Sequence, residues 1–396
     1  MPFVNCPGRV GPISGPISVP AQMPFDLDTA VAVWRAAIQG TGRYVAGAVR
    51  RGADALDVLE DAVRWTTVAS ARRAPQWATP HEIVAQTSVA RVRDFSTGST
   101  DAAPTLVVPP QAGHDSCIVD FSEQQSQVAT IRDAGLTALA SLDWIGAHAG
   151  NLDATIDDYL DAIEIAIEAL GGAPVNLIGD CQGGWLAVIY AALRPERVRT
   201  LTIAGAPIDF HAGEPEIHRW LRALAPGGEI GFYRAFVAAG GGAMPGAALL
   251  GGFIALRPQD ELSKQLDLLV RLDDAEHLER YRLFEDWYKH TQDVPGAFYL
   301  WIVEHLFRDN ELIRGALEIG GEQIDLRAIR CPLNLIAGAT DHITPPAQVF
   351  AIAGAVSTPP QDIVQRLSSG GHLGLFMGHE ALRQHWPPVL AAVRSA

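Results

Sequence analysis

The sequence predicts an α/β protein: a mainly parallel sheet with a helical cap inserted late in the chain. Three observations predict it. Short apolar runs alternate with helix-period segments from about residue 88 to 208 and again from about 332 onward, the pattern of strands joined by right-handed crossovers. Between about 209 and 325 that alternation stops and helical, aromatic-rich sequence takes over, including Trp220, Phe232, Tyr233, Phe236, Trp287, Tyr288, Tyr299, Trp301 and Phe307. The stretch Val175-Asn-Leu-Ile-Gly-Asp-Cys-Gln-Gly-Gly-Trp185 reads as a buried strand, a very tight turn and a buried helix.

In chain order, residues 1–24 are rich in Pro and Gly and are expected to form an extended arm. From Asp26 to about Ala71 the pattern is helical, with Leu27, Ala30, Val31 and Trp34 at i, i+3, i+4 and i+7, followed by Leu56, Val58, Leu59 and Val63. This predicts a pair of helices, either packed on the main domain or serving as an interaction hairpin. Strands are expected at Ser88–Phe95, after Pro104, at Leu136–Trp144, Val175–Ile178, Val198–Ile203, Pro332–Gly338 and Asp362–Leu367. Helices are expected over Glu123–Ala134, Ile156–Leu170, the segment after Cys181, Ala347–Gly354 and Glu380–Val393. The resulting organisation is an N-terminal arm and helices at 1–85, a catalytic domain at 86–208 and 326–396, and a cap at 209–325.

Composition narrows the class. The chain has 396 residues, 48% of them hydrophobic, enough for a sizeable core. A formal net charge of −15 with no basic face argues against a nucleic-acid partner. Nearly all the positive charge is Arg; the only lysines are Lys264 and Lys289, which reads as compositional bias. Cys6, Cys117, Cys181 and Cys331 show no metal-binding or disulfide spacing, which fits a reducing cytoplasm and implies no metal. The N-terminus lacks a signal-peptide pattern, and no apolar run reaches the roughly 18–20 residues of a membrane span.

Chemistry concentrates at Cys181. Gly179 and Gly183 flank it at i−2 and i+2, as in the G-x-S-x-G nucleophile elbow with sulfur for oxygen. The turn strains the central residue and leaves no room for neighbouring Cβ atoms, and it sets the thiol at a helix N-terminus, which favours a thiolate. A nucleophile needs a base, and the base an orienting group. Asp341 follows one late strand and His372 follows the last, giving the chain order Cys…Asp…His of the α/β-hydrolase layout. The oxyanion hole is expected from backbone N–H groups of Gln182 and of Gln111 or Ala112. His114, His342 and Trp185 are candidates for substrate contact, with packed, structural roles as the alternative for the two histidines. Asp180, beside the thiol, is expected to oppose its ionisation unless it points away. The glycine-rich apolar stretch Gly240–Phe253 is expected either to gate the pocket or form a subunit contact, or to be an irregular loop buried on the core.

Several of these motifs together resemble the polyhydroxyalkanoate synthases, most of all the short class III type. The box Gly179-Asp-Cys-Gln-Gly-Gly184 matches their G-x-C-x-G-G, and Tyr190-Ala-Ala-Leu-Arg-Pro-Glu-Arg-Val198, Ala206-Pro-Ile-Asp-Phe210, Leu312-Ile-Arg-Gly, Asp341-His-Ile-Thr-Pro and Gly370-Gly-His-Leu-Gly are similar in order and spacing over about 80–390. The resemblance implies an acyltransferase in which Cys181 accepts an acyl group from a (R)-3-hydroxyacyl-coenzyme A, His372 is the base and Asp341 its partner. The acyl group then passes to a hydroxyl of a growing polyester. No cofactor is implied beyond the coenzyme A of the substrate. A homodimer or partner subunit through the cap is expected, in the cytoplasm or at a polymer granule surface. Two features depart from the family: the acidic Asp180 and the loop Pro110-Gln-Ala-Gly-His114, which with Gly374-Leu-Phe-Met-Gly378 is similar to intracellular polyhydroxyalkanoate depolymerases. The alternative reading is therefore a thiol hydrolase (depolymerase, esterase or thioesterase) with the same triad, and a minor one is a non-catalytic granule-associated scaffold.

Overall fold

Eight strands form one twisted sheet. In this computed structural model the described residues are 27–98, 103–213 and 230–396; the expected N-terminal arm and Trp220 lie outside them. The strands are β1 (Glu82–Gln86), β2 (Ala90–Asp94), β3 (Thr105–Val108), β4 (Leu139–Trp144), β5 (Val175–Asp180), β6 (Val198–Ala204), β7 (Leu333–Gly338) and β8 (Ile363–Ser368). Their order across the sheet is 1-2-4-3-5-6-7-8. Pairing is antiparallel for β1 with β2 and β2 with β4, and parallel from β4 through β8. Every residue of β3, β4, β5 and β7 is buried, which explains why these strands read as continuous apolar runs instead of alternating ones. The sheet already begins at Glu82, ahead of the expected boundary at 86. β1 is an edge strand with most of its residues exposed, and it carries none of the alternation that marks a half-buried strand.

Helices cover both faces. Helices α1 (Leu27–Arg50) and α2 (Ala55–Ser70) precede the sheet, and α3 (Gln127–Asp133) and α4 (Ile156–Ala169) flank β4. Helix α5 (Gln182–Leu193) follows β5 and has ten of its twelve residues buried, as a helix apolar on all sides must. Between β6 and β7 come α6 (Gly231–Ala239), α7 (Gly246–Leu256), α8 (Pro258–Val270), α9 (Ala275–Tyr288) and α10 (Gly296–Trp301), the last running on as a π-helix over Ile302–Arg308. A helix Trp386–Ser395 closes the chain. Among the described residues no helix is long and apolar enough to cross a membrane.

The glycine-rich stretch takes up regular structure. Gly241 and Gly242 turn the chain at φ 69° and 101°, Ala243–Met244 pairs with Val294–Pro295, and α7 follows. The helix formers Ala247, Ala248, Leu249 and Leu250 after Pro245 outweigh Gly251 and Gly252, each of which costs a helix only about 1 kcal/mol relative to Ala. The two N-terminal helices sit on α8. Gly40 lies so close to it that a Cβ would meet Leu266 at 2.6 Å, and Trp65 Nε1 donates to the Gln265 carbonyl at 3.0 Å. α2 starts with a reciprocal capping box between Asp54 and Asp57.

Candidate active site

The elbow forms between β5 and α5. Cys181 adopts φ 51° and ψ −116°, one of two non-glycine residues with positive φ among the described residues. That strained conformation turns the thiol out of the sheet at the start of a helix. Its glycines are required by space. A Cβ on Gly183 would stand 1.9 Å from the Val108 carbonyl oxygen, one on Gly179 2.6 Å from that of Gly183, and one on Gly184 2.3 Å from the Ala206 methyl. Gln182 is the first residue of α5, where backbone N–H groups have no intrahelical acceptor. The loop after β3, carrying Gln111 and Ala112, runs beside it.

The two late loops bring Asp341 and His372 together. Asp341 Oδ1 accepts from the backbone N–H groups of Ile343 at 2.9 Å and Thr344 at 2.8 Å, while Oδ2 bonds His372 Nδ1 at 2.7 Å. The carboxylate therefore shapes its turn and orients the imidazole at once. This leaves Nε2 of His372 for Cys181, the other group that acts on the ring. Burial works against a charged imidazole, but Asp341 and Cys181 outweigh it and hold the His372 pKa well above its usual range. A raised imidazole pKa suits a base that takes a proton from a thiol. Burial alone pushes the Cys331 thiol up to about 11, an inert setting by contrast.

Asp180 is fully buried, with Oδ1 accepting from Gln127 Nε2 at 3.2 Å and Oδ2 without a partner. Desolvation, only partly offset by Gln127 and His372, raises its pKa to about 8. Burial thus favours the neutral carboxyl at this position, in place of the charge expected from the sequence.

Other predicted residues have different surroundings. His114 is clamped on the cap: its Nε2 bonds the Tyr288 carbonyl at 2.9 Å, its ring stacks on Trp287 and Tyr288, and burial lowers its pKa. Trp185 is buried in the core near Phe298 and Trp301. His342 is half-buried in the turn that Asp341 organises. Among the described residues no cluster of three or more His, Cys, Asp or Glu side chains forms a metal-binding group.

A narrow cavity of about 90 Å³ adjoins the elbow, lined by Gln111, Ala112 and Gln182 and, from the cap, by Tyr233, Leu249, Phe253, Tyr299 and Phe307 among others. Gln182 Oε1 and the Tyr233 hydroxyl on its walls are buried without a hydrogen-bond partner, while the Gln111 amide faces the buried Tyr159 hydroxyl. Buried polar groups are rarely left so unless something else completes them. Sequence reasoning missed Tyr233, which was visible only as one cap aromatic among many.

The sheet order 1-2-4-3-5-6-7-8, with the elbow after its fifth strand and an acid and a histidine after its last two, defines an α/β-hydrolase fold. The chain belongs to the family described as "Protein of unknown function (DUF3141)", which matches residues 83–393. It is also similar to proteins named "Poly(3-hydroxyalkanoate) polymerase subunit PhaC". It is 26% identical to that of Allochromatium vinosum over 303 residues, 75% of this chain and 82% of the relative. With that of Haloferax mediterranei it shares 26% over 319 residues, 78% of this chain and 63% of the relative. A Rhizobium meliloti protein named "Uncharacterized protein in ackA 5'region" is 30% identical over 310 residues, covering 71% of this chain and 40% of that one. Among solved structures, a hydrolase from Pseudomonas aeruginosa aligns with TM-score 0.48 at 18% identity, covering 80% of this chain and 97% of that one. The Bacillus megaterium epoxide hydrolase aligns with TM-score 0.47 at 15% identity, covering 80% and 100%.

Proposed function

We propose that this protein is an acyltransferase of the polyester-synthase type, with Cys181 as nucleophile, His372 as base and Asp341 as the group that orients it. The observation that carries the reading is the buried His372–Asp341 bond set behind a thiol at a strained elbow, in a chain similar to polymerase subunits. A thiolate suits a thioester donor, because transfer from coenzyme A to Cys181 exchanges one thioester for another with little change in energy. Cys181 Sγ attacks the carbonyl carbon of a (R)-3-hydroxyacyl-coenzyme A, and the oxyanion is met by backbone N–H groups of Gln182 and of Gln111 or Ala112. The C–S bond to coenzyme A breaks, and the departing thiolate takes the proton from His372 Nε2. His372 then accepts the proton of an incoming hydroxyl as that oxygen attacks the acyl-Cys181, releasing the thiolate and lengthening the ester chain. On this reading the Tyr233 hydroxyl, unpartnered in the cavity wall, receives a polar atom of the acyl group, and the cavity's apolar walls surround its carbon chain. At about 90 Å³ the cavity is too small for a growing chain, so turnover on this reading requires the cap to open.

The test is coenzyme A release from 3-hydroxybutyryl-coenzyme A, with the product analysed as polymer or free acid. Polymer formation that Cys181→Ala abolishes is the expected result. Free acid with the same dependence on Cys181 would assign a thiol hydrolase instead, and release unaffected by Cys181→Ala would end the nucleophile reading.

A further inference from the structure

Helix α1 is apolar on two sides, and the sides are unlike. Toward α8 it presents small residues: Ala36 and Ala37 are half-buried, and Gly40 and Ala48 are buried. On the opposite side its large residues face outward. Leu27, Val31, Trp34, Ile38, Val45 and Val49 are exposed, Trp34 at 70% and Ile38 at 67%, and Leu56, Leu59 and Val63 of α2 are exposed as well. A helix that only had to cover its own domain would place these sizes the other way round. A run of large apolar side chains left exposed along one helix marks an interaction surface.

Spacing identifies the occupant. Positions 27, 31, 34, 38 and 45 fall on an alternating three-and-four register, the seam that packs against another helix and not against a flat surface. The stripe is also self-complementary. With two copies of α1 antiparallel about a two-fold axis near Ile38, Leu27 lies opposite Val49 and Val31 opposite Val45. Ile38 then meets its own symmetry mate, and Trp34 lies over Gly42. Gly is the poorest helix former after Pro, and Gly42 sits mid-helix with nothing among the described residues within 4 Å of the Cβ it lacks, so none of them calls for a glycine there. An indole from a partner does. The same arrangement sets Asp28, in the first turn of α1, near Arg50 in the last turn of the other copy, and opposes the two helix dipoles. We propose that α1 is an isologous docking face for a second copy of this chain, paired antiparallel through Leu27, Val31, Trp34, Ile38, Val45 and Val49. This places the subunit contact on the side of α1 that faces away from the cap helix α8, and it holds whether the site polymerises or hydrolyses.

Sedimentation velocity on the full chain at micromolar concentration tests it. The wild type should sediment as a dimer, and Trp34→Glu and Ile38→Glu should each weaken the dimer at least tenfold while keeping the helical circular dichroism. Oxidation of a mixture of Leu27→Cys and Val49→Cys chains should give a cross-linked pair that neither variant forms alone. A monomeric wild type, as when residues 1–26 or a different partner cover the stripe, overturns the proposal. So does a dimer that both glutamate variants leave intact, or cross-linking by Leu27→Cys alone.

Discussion

At the residue scale, Asp180 shows how burial changes what a side chain does. Its sequence position beside Cys181 suggests a charge that should discourage a thiolate, yet in the fold it keeps its proton to about pH 8. An unfolded Asp ionises near pH 4, so the folded state binds the extra proton between those values. The resulting stability is present below about pH 4 and is lost as pH rises to about 8. Asp180→Asn should therefore flatten the pH dependence of unfolding free energy across that window, by a few kcal/mol at its upper end, measured by urea unfolding from pH 4 to 8.5. On the proposed mechanism, coenzyme A release by the wild type should fall above pH 8, as the new charge disfavours the thiolate, and Asp180→Asn should lack that fall. Superimposable pH profiles for the two proteins would show that the carboxyl does not act on the site.

At the element scale, the elbow and the cap use glycine for opposite reasons. Gly183 is pressed against the end of β3, so Gly183→Ala must push the Val108 carbonyl and the start of α5 apart. Overpacking of this kind costs about 1–3 kcal/mol, and moving the Gln182 N–H should lower turnover by about 100-fold. Gly251, inside α7, has nothing within 4 Å of the place a methyl group would take, and its helix gains from a better former. Gly251→Ala should raise stability by about 0.5–1 kcal/mol. Thermal unfolding of the two variants side by side should shift in opposite directions; equal shifts would refute the spatial argument.

At the scale of the whole molecule, the only two lysines converge on one buried carboxylate. Lys264 and Lys289 both bond Glu285, which is 1% exposed, and both also bond Glu261. Burial would raise the Glu261 pKa, but the two ammonium groups prevail and hold it at about 2. Arg72, just after α2, reaches Glu285 at 3.3 Å, and Lys264 lies over the rings of Phe284 and Tyr288. Tyr288 in turn receives His114 from the loop beside the elbow. The network thus ties the N-terminal segment, the cap and the site loop together. What composition presents as bias is a placement: a compact ammonium with three donors can be shared by two carboxylates. Glu285→Gln leaves those cations short of an anion and should cost about 3–5 kcal/mol in urea unfolding; a loss below about 1 kcal/mol would mean the network is not stabilising.

The sequence by itself determined the elements that run on a strong local signal. The buried strands, the glycine-flanked thiol and the positions of Asp341 and His372 after the last two strands are all set by apolar runs and turn chemistry within a few residues. Tertiary structure decided what depends on neighbours distant in the chain. β1 is a strand only because β2 pairs with it. The neutrality of Asp180, the clamp on His114 and the Tyr233 wall of the cavity are likewise matters of surroundings. Periodicity in α1 announced an amphipathic helix but not which side would be covered, because two of its sides are apolar and only packing on α8 chose the small-residue one. Spacing is local and can be read along the chain, whereas burial, and with it charge state, belongs to the contacts that folding makes.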